Sequence, residues 1–213
     1  MAKPPRNEEE RNTREKLLKS GEKVFAERGY RGATVKEIAQ EAGCNVSLIS
    51  YHFEGKEGLF RALLEGFGQD RLRDAEKILQ PADSAEDLRA KLRLWIQQFL
   101  LCHVQEASIC SILERENILE EEFLWDIFED TFLKAFHALV KFIEHAKKAG
   151  FVRKEIDPVI ATSFLFGSLS KMGHNQKIHK KVFNTSIADE KYRYFVAEQY
   201  LSILLHGLSG SPS

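Results

Sequence analysis

Residues 29–53 decide the fold, and they read GYRGATVKEIAQEAGCNVSLISYHF. Thr34 and Glu37 have the spacing of a capping box, in which each side chain accepts a hydrogen bond from the other residue's backbone amide. A short helix is therefore predicted to begin at Thr34. Gly43 tolerates the left-handed backbone angles of a helix end, and Asn45 is suited to cap the helix that follows. Two short helices joined by a tight turn with glycine predict a helix-turn-helix.

The remainder of the chain has the pattern of helices. Long segments without proline carry apolar residues three and four positions apart, and no stretch alternates as a β-strand does. The predicted fold class is all-α, with about nine helices. They are expected to cover about residues 9–28, 34–43, 45–52, 56–79, 85–105, 108–119, 121–149, 158–174 and 188–208. Asp157 and Pro158 start one of them with a capping residue and a proline at the first helical position.

The composition is that of an ordinary globular protein, with 213 residues, 43% of them hydrophobic and 30% charged. The sequence contains no run of about 18 apolar residues, so no transmembrane helix is predicted. The N-terminus has no apolar stretch typical of a signal peptide. Three cysteines without CxxC spacing predict neither a disulfide framework nor a zinc site. We expect a cytoplasmic protein without metal or cofactor.

The stretch from Gly29 to Leu63 resembles the DNA-binding domain of the TetR family of bacterial transcriptional regulators. The matching motifs are Gly-x-x-x-Ala-Thr at 29–34, Ile38-Ala39, Ala42-Gly43, Tyr51-His52-Phe53 and Gly55-Lys56-Glu57-Gly58-Leu59. The resemblance implies a three-helix DNA-binding domain at residues 1–55, then a helical ligand-binding and dimerisation domain at residues 56–213. It also implies a homodimeric, ligand-responsive repressor of a palindromic operator in double-stranded DNA.

The resemblance and the side-chain chemistry together predict the DNA contacts. Residues at the start of the second helix or around the third are expected to hold phosphates: Thr34, Lys36, Tyr51, His52 and Lys56. Residues on the exposed face of the third helix are expected to reach base edges in the major groove: Asn45, Val46, Ser47 and Ser50.

Two features leave a second function open. The family commonly has an aromatic residue where Ser50 stands, and residues 1–60 hold eleven lysines and arginines against ten acidic residues, a net charge of +1. An electrostatically driven DNA binder is more basic. The alternative is a helical small-molecule-binding or scaffold protein that has lost DNA binding. The chain has no phosphate-binding glycine loop, Gly-x-Ser-x-Gly or His-Glu-x-x-His motif, so we expect no enzyme.

The second half of the chain is rich in aromatic residues, and Phe128, Phe132 and Phe136 recur on one predicted helical stripe. Each alone is explained by core packing, but together they are able to line a cavity for a largely apolar inducer. The candidate ligand-binding residues are Trp95, Phe99, Cys102, His103, Glu114, Asn117, Phe128, Phe132 and Phe136.

The last two long helices are expected to join two subunits in a four-helix bundle. The candidate interface residues are Ile160, Phe164, Leu165, Leu169, Tyr200, Leu201, Leu204 and Leu205. Such a dimer presents two recognition helices about one DNA turn apart, or a multiple of it, so the operator is expected to be palindromic.

Overall fold

The computed structural model describes residues 8–115 and 122–207, and these residues contain helices but no β-strand. The α-helices are α1 Glu8–Gly32, α2 Val35–Ala42, α3 Ser47–Phe53, α4 Lys56–Ile78, α5 Ala85–Gln105, α6 Ala107–Arg115, α7 Trp125–Ile127, α8 Lys134–Lys148, α9 Pro158–His174, α10 Gln176–Phe183 and α11 Glu190–His206. The predicted all-α fold class is confirmed. None of these helices is both long and apolar enough to span a bilayer.

The helices begin where the sequence places capping residues. Glu37 N donates to Thr34 Oγ1 over 3.2 Å and Thr34 N donates to Glu37 Oε2 over 3.0 Å, which is the predicted capping box. Ser84, Asp157 and Asp189 each accept a backbone amide hydrogen bond at the start of α5, α9 and α11. Local side-chain chemistry therefore fixes these helix starts.

One long helix predicted at residues 121–149 is not uniform. Its described part is a 3-10 turn at Glu122–Leu124, then α7, a π-helical stretch at Phe128–Leu133 and finally α8. Within the π stretch the buried Thr131 hydroxyl donates to the Ile127 carbonyl. It lies against Gly68, where a Cβ atom would come within 2.4 Å of it. Phe128 and Phe132 of the predicted stripe stack on each other within this stretch, with ring centroids 6.2 Å apart.

The chain forms two compact units. The first comprises Met1–Asp70 and Ser108–Phe132, and the second comprises Arg71–Ala107 and Leu133–Ser213. The division between these compact units falls between Asp70 and Arg71, inside α4. The reason is that Leu59 and Phe60 in the first half of α4 are buried, and the Phe60 ring meets that of Phe25 edge to face at 4.9 Å.

The core of the second unit lies among α5, α8, α9 and α11, since α5 packs on α9 and α11, and α9 packs on α8. Leu165, Leu169 and Leu201 were predicted at a dimer interface, but each is 0% exposed in this core. On α9, Leu165 and Leu169 face the core, whereas Ile160 and Phe164 are 68% and 49% exposed. On α11, Leu201 faces the same core. The prediction for the three leucines is therefore wrong.

Candidate nucleic-acid interface

The turn between α2 and α3 is closed by hydrogen bonds at both ends. Gly43 adopts φ 62° and ψ 32°, its amide donates to Gln40 O, and the Cys44 amide donates to Ala39 O over 2.9 Å. This pair of bonds is a Schellman motif, which requires the left-handed conformation that glycine adopts without strain. The predicted helix-turn-helix geometry follows directly from Gly43.

Asn45 fixes the start of α3. Its Oδ1 accepts hydrogen bonds from Ser47 N at 2.9 Å and from the Ser47 hydroxyl at 2.8 Å. Asn45 therefore caps the helix as predicted, although the regular helix begins at Ser47. Asn45 and Ser47 still offer two groups to a base edge. The amide NH₂ of Asn45 is a hydrogen-bond donor, and the lone pairs of Ser47 Oγ are acceptors.

The outer face of α3 is open to solvent. Val46 and Tyr51 are 40% and 44% exposed, and Asn45, Ser47 and Ser50 are exposed as well. The opposite face anchors the helix, because Ile49 and Phe53 are 0% and 1% exposed. α3 is therefore anchored in the core on one side and exposes short polar side chains and the apolar Val46 on the other. Side chains of these kinds recognise base edges in the major groove.

Tyr51 and His52 occupy different environments at the end of α3. The Tyr51 hydroxyl donates to Glu10 Oε1 over 3.1 Å at the surface. His52 was predicted to contact phosphate, but its side chain is only 3% exposed and its ring packs edge-on against Tyr51 at 4.9 Å. Burial lowers the pKa of His52, so the neutral ring is favoured. His52 therefore packs against the Tyr51 ring inside the protein. The prediction that His52 contacts phosphate is wrong, because the buried ring does not reach the surface.

A pH dependence follows from the lowered pKa of His52. Folded protein binds this proton less readily than unfolded chain does, so stability falls as the pH drops through the ordinary value of 6.5 and stops falling below the lowered pKa. We expect His52→Gln to flatten this part of the curve of unfolding free energy against pH, measured by urea denaturation. The exposed His137 gives the control, His137→Gln. An unchanged slope in His52→Gln would contradict the burial of a neutral ring.

Lys56 is also used inside the protein. Its ammonium donates to the carbonyl oxygens of Tyr30 at 2.8 Å and Ala33 at 3.1 Å, and lies 4.6 Å from the centre of the Tyr30 ring. These carbonyls follow the break in α1 at Gly29, where φ is 78° and ψ is 166°. Lys56 thus ties the start of α4 to the end of α1. The predicted phosphate contact would have to compete with these bonds.

We expect Lys56→Met to lower the free energy of unfolding by about 1–3 kcal/mol, because two carbonyl groups lose a charged donor while the apolar stem is kept. Chemical denaturation followed by circular dichroism measures the change. Lys36→Met, at an exposed lysine of α2, is the control and is expected to leave stability within about 0.5 kcal/mol. Equal stabilities for the two variants would show that Lys56 has no structural role.

Thr34 and Lys36 lie at the start of α2. The Thr34 hydroxyl donates to Glu37 Oε2 over 2.8 Å and is occupied by the capping box, and these hydrogen bonds lower the pKa of Glu37. Lys36 is exposed. Of the two residues predicted here, Lys36 is the one whose side chain faces solvent with a charge suited to phosphate.

The predicted ligand-binding residues do not form one cluster. Trp95, Phe99 and Phe136 belong to the second unit and surround the Phe166 ring, with centroid distances of 5.2, 5.4 and 5.4 Å. His103 stacks near Phe99, and its Nδ1 is 3.0 Å from Phe99 O. Periodicity alone did not single out Phe166, which links the rings.

Other members of the predicted ligand set lie elsewhere. Glu114, Phe128 and Phe132 belong to the first unit, and Cys102 is buried in the second. Asn117 lies outside the described residues. In residues 8–115 and 122–207, no three histidine, cysteine, aspartate or glutamate side chains gather as metal ligands do.

Comparisons with known proteins bear on this site. The profile "Bacterial regulatory proteins, tetR family" matches residues 17–63. The chain is 39% identical over 67 residues to the repressor AcnR of Corynebacterium glutamicum, covering 32% of this chain and 34% of AcnR. It is 28% identical over 206 residues to the repressor KstR2 of Rhodococcus jostii, covering 92% and 91%. FadR of Bacillus subtilis, solved in complex with stearoyl-CoA, has a TM-score of 0.70 at 17% identity, covering 92% and 99%.

These matches agree with the capped helix-turn-helix and the helical second unit. Residues 17–63 match the TetR family of bacterial regulatory proteins, and the repressors AcnR and KstR2 are similar to this chain. Alignments with three curated relatives span 66%, 34% and 34% of those proteins' own lengths. The likeness to FadR concerns the fold.

Proposed function

We propose that this chain is a homodimeric transcriptional repressor. It binds a palindromic operator through α3 and releases the operator when a largely apolar small molecule binds the second unit. The observation that carries the proposal is the outer face of α3, which is capped by Asn45, anchored by Ile49 and Phe53, and exposed at Val46 and Ser50. Since bacterial operators lie in the cytoplasm, we place the protein there.

Within α3 and α2 the exposed side chains divide by chemistry. Val46 offers methyl groups to a thymine methyl, and Ser50 offers a hydroxyl to a base edge. Lys36 has no base-specific pattern and suits a phosphate oxygen, and the Tyr51 hydroxyl suits one if the phosphate replaces Glu10 as its acceptor. Phosphate contacts set the register on the duplex, and base contacts set the sequence preference.

This division predicts different outcomes for two single substitutions. Lys36→Ala should weaken binding to all sequences about equally and lower the slope of log affinity against log salt by about one unit. Val46→Ala should leave that slope unchanged and relax preference at one base position of each half-site, by about 1 kcal/mol or more. Fluorescence anisotropy with operator variants at several salt concentrations measures both effects. Identical specificity profiles for the two variants would refute the assignment.

The dimer is supported by apolar side chains left exposed on α9 and α11. Val159, Ile160 and Phe164 are 49%, 68% and 49% exposed on α9, and Phe195 is 54% exposed on α11. Large apolar side chains left exposed on two helices of one unit are suited to an interaction surface. The interface we propose therefore uses these residues together with the half-buried Tyr200, Leu204 and Leu205 of α11.

The ligand site is supported by the half-buried aromatic cluster of the second unit. Phe99, Phe136 and Phe166 are only partly buried, although Phe99 and Phe166 pack on Trp95 and Phe136 packs on Phe166. Apolar walls with few polar groups are typical of small-molecule sites. The stearoyl-CoA complex of FadR supports the view that a helical domain of this fold accommodates an apolar ligand. By thermodynamic linkage, the inducer must weaken operator binding by the factor by which operator weakens inducer binding.

A gel-shift assay with DNA upstream of the protein's own reading frame tests the proposal. We expect a discrete complex that excess random-sequence DNA does not displace. If the folded dimer formed no such complex with this DNA, the alternative of a helical small-molecule-binding protein that has lost DNA binding would be favoured.

A further inference from the structure

Thr162 in α9 carries a hydroxyl without a hydrogen-bond partner in the protein interior. The residue is 0% exposed, and its Oγ1 is buried with no acceptor or donor in reach. Other helical hydroxyls in this protein donate to the carbonyl four residues earlier, as those of Thr131, Ser163 and Ser168 do at 2.6, 2.8 and 2.5 Å. A buried polar group left unpaired is costly, so it indicates a partner that the polypeptide itself does not supply.

Thr162 lies on α9 one helical turn before Phe166, a member of the aromatic cluster. Phe166 follows four residues later, so the two side chains share one face of α9, one turn apart. Phe166 meets Trp95 and Phe99 of α5 at 5.2 and 5.4 Å. Further along both helices, a Cβ atom at Gly173 would lie 2.2 Å from the ring of His103.

The order of these contacts along the chain shows how α5 and α9 are oriented relative to each other. Contacts on α5 and α9 advance together along the two sequences, so the helices run parallel. Thr162 therefore lies near the level one turn before Trp95 on α5, at one end of the ring cluster. A buried polar group at the end of a mainly apolar cluster is suited to orient a ligand there.

We propose that Thr162 is the hydrogen-bonding anchor of the second unit's ligand site, and that the ligand is a flat, apolar ring compound bearing one hydroxyl or carbonyl group. The rings of Trp95, Phe99, Phe136 and Phe166 contact the flat body, since aromatic side chains pack in offset or edge-on contact with other rings. The threonine hydroxyl both donates and accepts, so it is suited to either polar group. This inference rests on the proposed ligand-responsive function and specifies the chemical class of the ligand.

Two probes that differ by one group test the anchor. 2-Naphthol and 2-methylnaphthalene share a ring system, and the first has a hydroxyl where the second has a methyl. Equilibrium dialysis with the full-length protein gives the ratio of their dissociation constants. We expect Thr162→Val, which replaces the hydroxyl with a methyl of similar size, to shift this ratio about tenfold toward the methyl compound. Thr162→Ser keeps the hydroxyl and should keep most of the wild-type ratio.

Ser163→Ala is the matched control, because Ser163 is exposed and its hydroxyl donates to Val159 O. It should leave the ratio unchanged. Ligand-free Thr162→Val should also melt about 2–4 °C higher, since the unpaired hydroxyl is removed. This rise shows that the variant is folded.

Three outcomes would overturn the inference. An unchanged ratio in folded Thr162→Val would mean that the hydroxyl meets only a buried water or packs without a partner. A shift of equal size in Ser163→Ala would mean that the effect is not specific to this position. Failure of both probes to bind wild-type protein would exclude the ring-compound class. Because the ratio is measured without DNA, failure of operator binding would refute the proposed function and leave this result standing.

Discussion

Gly58→Ala is expected to destabilise the first unit by about 3 kcal/mol or more and to abolish operator binding. A Cβ atom at Gly58 would lie 1.7 Å from the carbonyl oxygen of Phe53, the last residue of α3. Because the obstacle is backbone, no side-chain rotation relieves it. Either α4 or the end of α3 must move, and α3 carries the proposed base-reading face.

Gly66→Ala is the matched control for this prediction. Gly66 lies in the same helix, and nothing lies within 4 Å of its Cβ position. Alanine has the higher helix propensity, so this variant should be stabilised by up to about 1 kcal/mol. Urea denaturation and operator titration measure both variants. Normal stability and DNA binding in Gly58→Ala would contradict the close approach of α3 and α4.

Ile160→Glu is expected to convert the dimer to monomer and to weaken operator binding by at least about a hundredfold. Ile160 is 68% exposed in the isolated chain, and a charge there faces its counterpart or apolar surface across the proposed interface. Burying an unpaired carboxylate costs several kcal/mol, whereas a monomer reads only one half-site. Analytical ultracentrifugation and anisotropy measure the two effects.

Leu94→Glu is the control for the dimer prediction. Leu94 is 45% exposed on α5, which the proposed interface does not include. This variant should stay dimeric and bind operator normally. A dimeric Ile160→Glu with normal operator affinity would place the subunit contact on another surface.

Local chemistry explains which features were predictable from the sequence. The capping box of Thr34 and Glu37, the left-handed Gly43 and the Asn45 cap depend on residues within a few positions of one another. The spacing of such residues therefore predicts the helix-turn-helix and the start of α9 at Asp157 without knowledge of tertiary contacts.

Features that depend on distant parts of the chain were not predictable in the same way. His52 and Lys56 are polar residues in a motif that resembles a DNA-contacting one, yet their surroundings come from Tyr30, Ala33 and neighbouring rings. Only the folded chain shows that one is buried and the other bonded internally. Motif position alone therefore does not predict the burial of His52 or the internal hydrogen bonds of Lys56.

In the second unit, tertiary packing also determines which apolar residues are buried. α9 is apolar on more than one face, so periodicity does not tell whether Leu165 or Phe164 meets the core. Packing against α5 and α8 decides it, and Leu165 is buried while Phe164 is exposed. Of the predicted stripe, Phe128 and Phe132 stack on each other at 6.2 Å, and Phe136 packs on Phe166 of α9 at 5.4 Å, a contact that periodicity along one helix does not predict.

Selection of bound sequences from a random DNA pool at physiological salt tests whether this protein is a dimeric, sequence-specific DNA binder. We expect enrichment of a palindrome whose half-sites are centred about one DNA turn apart, or a multiple of it, because two copies of α3 must enter successive major grooves. If folded and dimeric protein enriched no sequence, the proposed operator binding through α3 would be refuted.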